Sequence, residues 1–316
     1  MNWRPLAEPA VWHARAALLD TIRSFFKNRS VLEVTTPVLA ASTVTDPHIH
    51  SFRVMDSGAG ANPCLYLQTS PEYAMKRLLA AGSGPIYQIC PAFRDEEHGR
   101  HHNCEFTLLE WYRPGFDLDQ LLDEMDALLA ECLGLTAGRR LRYQQVFEHF
   151  LQLDPFTAGP GVLSDKASRL GLAASRNLDT DGLLDFLFTQ AIQPRLGPGL
   201  HYVMDYPPAQ AALSRIRDGQ PPVARRVEVF VDGLELANGY EELLDAHEQR
   251  LRFERDLARR SSAGLALPAM DELLLSALHQ GLPECAGIAL GLERLLMLAL
   301  GASSIDQVLC FSPYRD

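Results

Sequence analysis

The sequence predicts an α+β fold, a mostly antiparallel sheet flanked by helices. Three observations carry that expectation. Residues 86–90 alternate in polarity, residues 106–112 mix apolar bulk with Glu110 and Tyr112, and between them 95–103 shows no periodicity, which reads as strand, charged tip, strand. A second hairpin is signalled by 227–231, the Asp232-Gly233 pair and 234–237. Helical stretches flank these strands, which are joined by turns and hairpins more than by regular crossovers.

Taken in order, residues 9–29 place Val11, Leu18, Ile22, Phe25 and Phe26 on one helical face, with Arg15, Asp20, Arg23 and Lys27 elsewhere. Residues 31–36 have a strand-like, β-branched composition that stops at Pro37, which cannot donate to a ladder. Residues 41–64 read as loop or irregular hairpin. A strand resumes at 65–69, and Ser70-Pro71-Glu72 opens a short helix through Leu79, with Ser70 as cap, Pro71 in the first helical position and an acid in the first turn. A helix that starts directly after a strand is also a common meeting place for backbone amides, a carboxylate and a ligand.

Residues 118–133 form an amphipathic helix whose Leu118, Leu121, Leu122, Met125, Leu128, Leu129 and Cys132 are core. From 134 to about 198 helical pieces near 164–170 and 182–192 alternate with Gly/Pro breaks at 158–161. That segment is expected to be a helical insertion within a single domain covering 1–316. Strands return at 202–206, 227–231 and 234–237; Asn238-Gly239 then leads into a charged helix from Glu241 to about Arg260, and 288–290 runs through Gly291 into a helix at 292–300.

The chain has 316 residues, 47% hydrophobic, enough for a full core. Its formal net charge is −11, so general attraction to nucleic acid or anionic membrane is not built into the overall field. Six cysteines without CxxC spacing suggest thiols in a reducing compartment, and no apolar run is long enough to span a bilayer. A cytoplasmic location is expected.

The chemistry concentrates where strands meet turns. Arg94 and Arg100 flank the charged tip, each able to fork two donors onto a phosphate or carboxylate. Glu235 and Glu242 stand seven apart across Asn238-Gly239, one expected on a strand and one on the following helix, and a pair of carboxylates suits Mg2+ together with phosphate oxygens and water. Arg294 follows Gly291. These features match a nucleoside triphosphate, yet neither GxxxxGK[ST] nor GxGxxG occurs, so another cradle is required.

Three segments in order then resemble the motifs of class II aminoacyl-tRNA synthetases: 31–39 with Pro37, 93–113 (FRDEEHGRHHNCEFTLLEWYR) and 287–295 (GIALGLERL). Within that class FRDEE, HNCEFTLLEWY and GLELANGYEELLDAHEQ are similar to the lysyl-tRNA synthetase catalytic domain. The anticodon-binding domain that precedes motif 1 there is expected to be absent, because motif 1 begins near residue 25. With SPEYAMKRLL, the chain resembles end to end the truncated paralogues that attach (R)-β-lysine to a lysine of translation elongation factor P.

The resemblance implies a homodimer and a two-step reaction using ATP and Mg2+, with (R)-β-lysine as substrate and elongation factor P, not tRNA, as acceptor. Arg94 and Arg294 would be catalytic, Arg94 bridging the substrate carboxylate and the α-phosphate. Ser70, Pro71, Glu72, Tyr112 and Glu242 would bind substrate. Arg94, Asp95, Glu96, Asn103, Phe106, Glu235, Leu236, Gly291 and Arg294 would bind ATP, Phe106 and Arg294 covering opposite faces of the base, and Glu235 and Glu242 would hold Mg2+. Asp95, Cys104 and Glu293 stand where Asn, Pro and often Asp are usual, and Ala289 replaces a glycine, its methyl trimming the α-amino side of the pocket.

Three competing readings are weaker. His98, His101, His102 and Cys104 invite zinc, but ligands bunched in one loop struggle to close a tetrahedral site. The same adenylating core can serve tRNA or a small acceptor, which the acidic balance disfavours. A catalytically inactive regulator would have no use for Arg94, Glu235, Glu242 and Arg294 together.

Overall fold

Pro9 opens α1 (Pro9–Asn28), where the first helical N–H has no intrahelical partner to lose, and Leu18, Ile22, Phe25 and Phe26 form its buried face. The computed structural model describes residues 3–55, 64–95, 97–171 and 178–312. The strand expected at 31–36 shortens to β1 (Leu32–Glu33). Beyond it, Val34 N still donates to Tyr87 O (2.9 Å) and Thr36 Oγ1 to Gln88 Oε1 (3.0 Å), so side-chain contact replaces the ladder before Pro37. There follow β2 (Leu39–Ala40), β3 (Arg53–Met55), β4 (Cys64–Leu67), α2 (Glu72–Ala80), β5 (Ile86–Phe93) and β6 (Glu105–Pro114).

α3 (Leu118–Leu133) has the expected bounds for a physical reason: Asp117 and Gln120 form a capping box, and Gly134 ends the helix at φ 67°. The chain continues as β7 (Arg139–Arg142), α4 (Tyr143–Leu151), α5 (Pro160–Arg169), α6 (Thr180–Leu187), β8 (Leu200–Tyr206), β9 (Ile216–Arg217), β10 (Val223–Val231) and β11 (Leu234–Glu241). It closes with α7 (Ala246–Ser262), α8 (Glu272–Gln280), β12 (Cys285–Gly291) and α9 (Leu292–Leu300).

Two compact units are present, Met1–Gly134 with Leu244–Asp316, and Leu135–Leu243. In the first, β6 lies antiparallel between β5 and β12, and β1 runs parallel to β5. A small sheet has the order β2-β4-β3. The core includes Phe26 stacked on Tyr87 (4.5 Å between centroids) and tilted against Trp111 (5.4 Å), and burying each such ring is worth roughly 2–3 kcal/mol. The helices α1, α3 and α9 close over one another around this layer.

In the second unit β10 is antiparallel to β8, β9 and β11, while β7 and β8 are parallel. The helices of the 134–198 segment pack on these strands around Tyr143, Phe147, Leu187, Phe188, Val203 and Phe230. The Asp232-Gly233 hairpin forms as expected, with both residues in the left-handed region at φ 51° and 79°. The expected break at Asn238-Gly239 does not. These two residues pair with Glu228 and Val227, so β11 continues to Glu241. The helix starts only at Ala246, where the Asp245 carboxylate accepts from the amides of His247 (2.8 Å) and Glu248 (3.0 Å).

Candidate active site

The first unit gathers hydroxyls, a carboxylate and arginines along β6, β12 and the ends of α2 and α9. Glu110, only 2% exposed, lies mid-strand on β6 with Gln88 of β5 and Ala289 of β12 as its cross-strand neighbours. Ser70 Oγ donates to its Oε2 (2.8 Å) and Tyr112 Oη to its Oε1 (2.7 Å). A buried carboxylate demands such donors, and two hydroxyls supply part of what it needs. Sequence reading passed over Glu110, which looks like an ordinary polar position of an alternating strand. The hint was its i, i+2 spacing to Tyr112, since residues two apart share a strand face.

Ser70 serves α2 as well, but not as its formal cap. The helix begins at Glu72, Pro71 occupies the capping position, and the Ser70 hydroxyl accepts from Glu72 N (3.0 Å). One turn on, Lys76 Nζ meets Glu72 Oε1 (2.7 Å), and the lysine is 1% exposed. Glu72 therefore presents a carboxylate already held by one ammonium.

Arg94 leaves the end of β5, where Nε reaches Thr69 O (3.4 Å) and Nη1 the Glu97 carboxylate (3.3 Å). Its guanidinium stands 5.1 Å from the centre of the Phe106 ring, so one face of Phe106 meets Arg94. Asp95 N donates to His50 O (2.7 Å), which pins the loop after β5 to the 41–55 segment. Glu96 lies outside the described residues. Asn103 Nδ2 donates to Glu105 O (2.7 Å), and its Oδ1 accepts from Ser312 Oγ (3.2 Å).

Arg294, in the first turn of α9, donates through Nε to His101 O (3.3 Å) and through Nη2 to His102 Nε2 (2.7 Å). An imidazole nitrogen that accepts must be unprotonated, and burial, then the Arg294 charge, both push His102 below its ordinary value. Glu293 is structural: it binds Arg15 (3.0 Å) and Thr107 N (2.8 Å), tying α9 to α1 and β6. Gly291 has an ordinary extended backbone, and a Cβ there would meet only Arg294 at 3.8 Å. Nothing in the chain's own conformation demands this glycine.

In the second unit a register shift makes Leu236 the extra residue of a β-bulge, so Phe230 pairs with Glu235 while Val229 pairs with Ala237. Glu235 thereby joins the electrostatic neighbourhood of Glu228 and Arg226. Burial raises the Glu228 pKa, Arg226 opposes, and Glu235 raises it further. Glu228 and Arg226 also share a short charged hydrogen bond. Glu242, 2% exposed, bridges Ser214 just past the end of β11, not on a helix as the sequence suggested.

Among the described residues, no group of three His, Cys, Asp or Glu is arranged to hold a metal ion. Glu235 lies near enough to raise the Glu228 pKa, and carboxylates of this kind suit a hard divalent cation that takes its other ligands from phosphate and water. Glu228 was not singled out in the sequence because its strand is otherwise unremarkable.

A family model described as tRNA synthetases class II (D, K and N) matches residues 8–315. The chain belongs to the class II tRNA synthetases. In this class II chain the likeness to individual relatives is continuous. Proteins named elongation factor P–(R)-β-lysine ligase are similar to it from Pectobacterium atrosepticum, 47% identical, and from Erwinia tasmaniensis and Proteus mirabilis, each 48% identical. Each alignment covers 99% of this chain and 98% of the relative. Such a class II domain uses ATP, usually with a divalent metal. Among its described residues no helix is long and apolar enough to cross a membrane.

Proposed function

We propose that the chain is an ATP-dependent, AMP-forming ligase that activates (R)-β-lysine and transfers the β-lysyl group to a lysine side chain of translation elongation factor P. The observation that carries this reading is the buried Glu110 carboxylate, held by Ser70 and Tyr112 and facing the Ala289 methyl across the strand pair. A carboxylate flanked by hydroxyls is a group suited to recognising an ammonium, and the full-length likeness to β-lysine ligases supplies the substrate class.

In the first step a carboxylate oxygen of the β-amino acid forms a bond to the α-phosphorus of ATP, and pyrophosphate leaves with the electrons of the broken P–O bond. Arg94 bridges the attacking carboxylate and the α-phosphate, where charge accumulates. Arg94 must exchange Glu97 for substrate oxygens, a swap between two anionic partners at the same guanidinium. Arg294 likewise trades neutral His102 for nucleotide. Ser70, Pro71, Glu72, Tyr112 and Glu242 bind the amino acid; Asp95, Glu96, Asn103, Phe106, Leu236 and Gly291 bind nucleotide, with Gly291 allowing close backbone approach. Mg2+, held by Glu235 with Glu242 and Glu228, would neutralise phosphate charge.

In the second step the unprotonated lysine amine of the acceptor attacks the acyl carbon, an amide bond forms and AMP departs. The enzyme acts in the cytoplasm as a homodimer, a reading supported by exposed Leu32 (56%) and Leu39 (43%) on either side of Pro37. The test is ATP–pyrophosphate exchange with (R)-β-lysine against α-lysine, followed by transfer to elongation factor P and to tRNA. Exchange and transfer confined to (R)-β-lysine and the protein acceptor are expected; transfer to tRNA alone would reject the reading.

A further inference from the structure

Four guanidiniums converge on two carboxylates within the Leu135–Leu243 unit. Arg225, its side chain 9% exposed, reaches Asp205 Oδ1 (2.9 Å) and Glu241 Oε1 (2.8 Å) and staples β8, β10 and β11. Three arginines close around it. Arg217 approaches Asp205 Oδ2 at 3.2 Å and Arg142 the same oxygen at 3.8 Å, while Arg215 reaches Glu241 Oε2 at 2.8 Å. Their side chains are 70% (Arg142), 51% (Arg217) and 48% (Arg215) exposed.

Stapling accounts for Arg225 alone. Exposed ion pairs add about 0–1 kcal/mol each, so the other three are not explained by stability. Asp205 is held at φ 60°, a left-handed conformation uncommon for a residue with a side chain, at the point where three of the arginines meet. Counted by themselves, these four arginines and two carboxylates carry two more positive than negative charges, on a chain whose net charge is −11. Arg139 and Arg140 on β7 extend the basic character along the same strand as Arg142.

We infer that this arginine cluster is a docking surface for an acidic face of the polypeptide acceptor, an inference that rests on the protein-acceptor reading above. Forked guanidiniums match discrete carboxylates, which a protein surface presents singly. The relatives named for a protein acceptor favour carboxylates over a phosphate backbone as the partner of these arginines. Electrostatic contact of this kind raises the encounter rate and orients the partner without entering the chemistry.

The test uses the full chain with Arg142→Glu and Arg217→Glu combined. Amino-acid-dependent ATP–pyrophosphate exchange, measured without acceptor, is expected to be unchanged. The KM for elongation factor P should rise about tenfold at low salt with kcat unchanged, and its dependence on ionic strength should flatten. A wild-type KM in the double variant overturns the inference. So does competition by tRNA that weakens in the variant, since the surface would then belong to RNA. Absence of transfer by the wild-type chain is a different failure, that of the acceptor reading, and removes the inference with it. If charge reversal lowers exchange as well, Arg142→Gln with Arg217→Gln replaces it, with an expected KM rise of about threefold.

Discussion

Ala289 of β12 faces Glu110 of β6 directly across an antiparallel pair. A methyl group beside a buried carboxylate limits where an ammonium can sit, and moving that ammonium by one carbon is the difference between an α- and a β-amino acid. Ala289→Gly should therefore raise the exchange rate with α-lysine relative to (R)-β-lysine by about tenfold, at the low end of what one methylene can discriminate. An unchanged ratio of kcat/KM for the two substrates would reject the assignment.

Tyr112 and Ser70 share the work of satisfying Glu110. Tyr112→Phe removes one donor from a buried carboxylate, which costs about 1–3 kcal/mol at the site. A KM for the amino acid raised roughly tenfold or more is expected, with the KM for ATP unmoved. Equal loss for both substrates would point to general disruption instead.

Arg94→Ala should slow adenylate formation about 100-fold or more, because a preorganised donor is lost where charge develops. Arg94→Lys should not restore it, the ammonium being unable to span two oxygens as a planar fork does. Single-turnover measurement of pyrophosphate release separates this from a defect in transfer.

His101, His102 and His201 are all held below the ordinary imidazole value, burial being the first cause in each. Well above pH 6.5, the ordinary imidazole value, both folded and unfolded imidazoles are neutral and contribute no pH dependence. Below it the unfolded chain takes up protons that the folded chain refuses, so stability falls as pH falls. Buried Glu228 and Asp256, with pKa values raised, act in the opposite direction. The informative quantity is thus the difference between variants: in urea denaturation, His102→Gln should lose less stability between pH 7 and pH 5.5 than the wild-type chain, and equal losses would contradict the role of His102.

Much of this was legible in the chain itself. Alternation and capping chemistry located β5, β6 and α3, because Asp117, Gln120 and Gly134 are local signals with local causes. Asn238-Gly239 misled for the opposite reason. As a dipeptide it favours a turn, but pairing of Asn238 with Glu228 and of Gly239 with Val227 overrides it. The placement of Glu242 past the end of a strand follows from that override. Glu110 and Glu228 escaped notice because nothing beside them in sequence distinguishes a solvated strand carboxylate from a buried one. Their meaning comes from residues such as Ser70 and Arg226, brought near by folding.

Ser70 has a single hydroxyl proton, and it is committed to Glu110 while the oxygen receives the amide of Glu72. Tyr112 points its own proton the same way. Both arrows end at one acid, so the network has a direction. A protonated amine adds a charged donor to that pattern, whereas the lone pair of an uncharged one finds both hydroxyl protons already given to Glu110. If the amino acid binds here as proposed, the wiring of one serine favours its charged form before its length or branching is read.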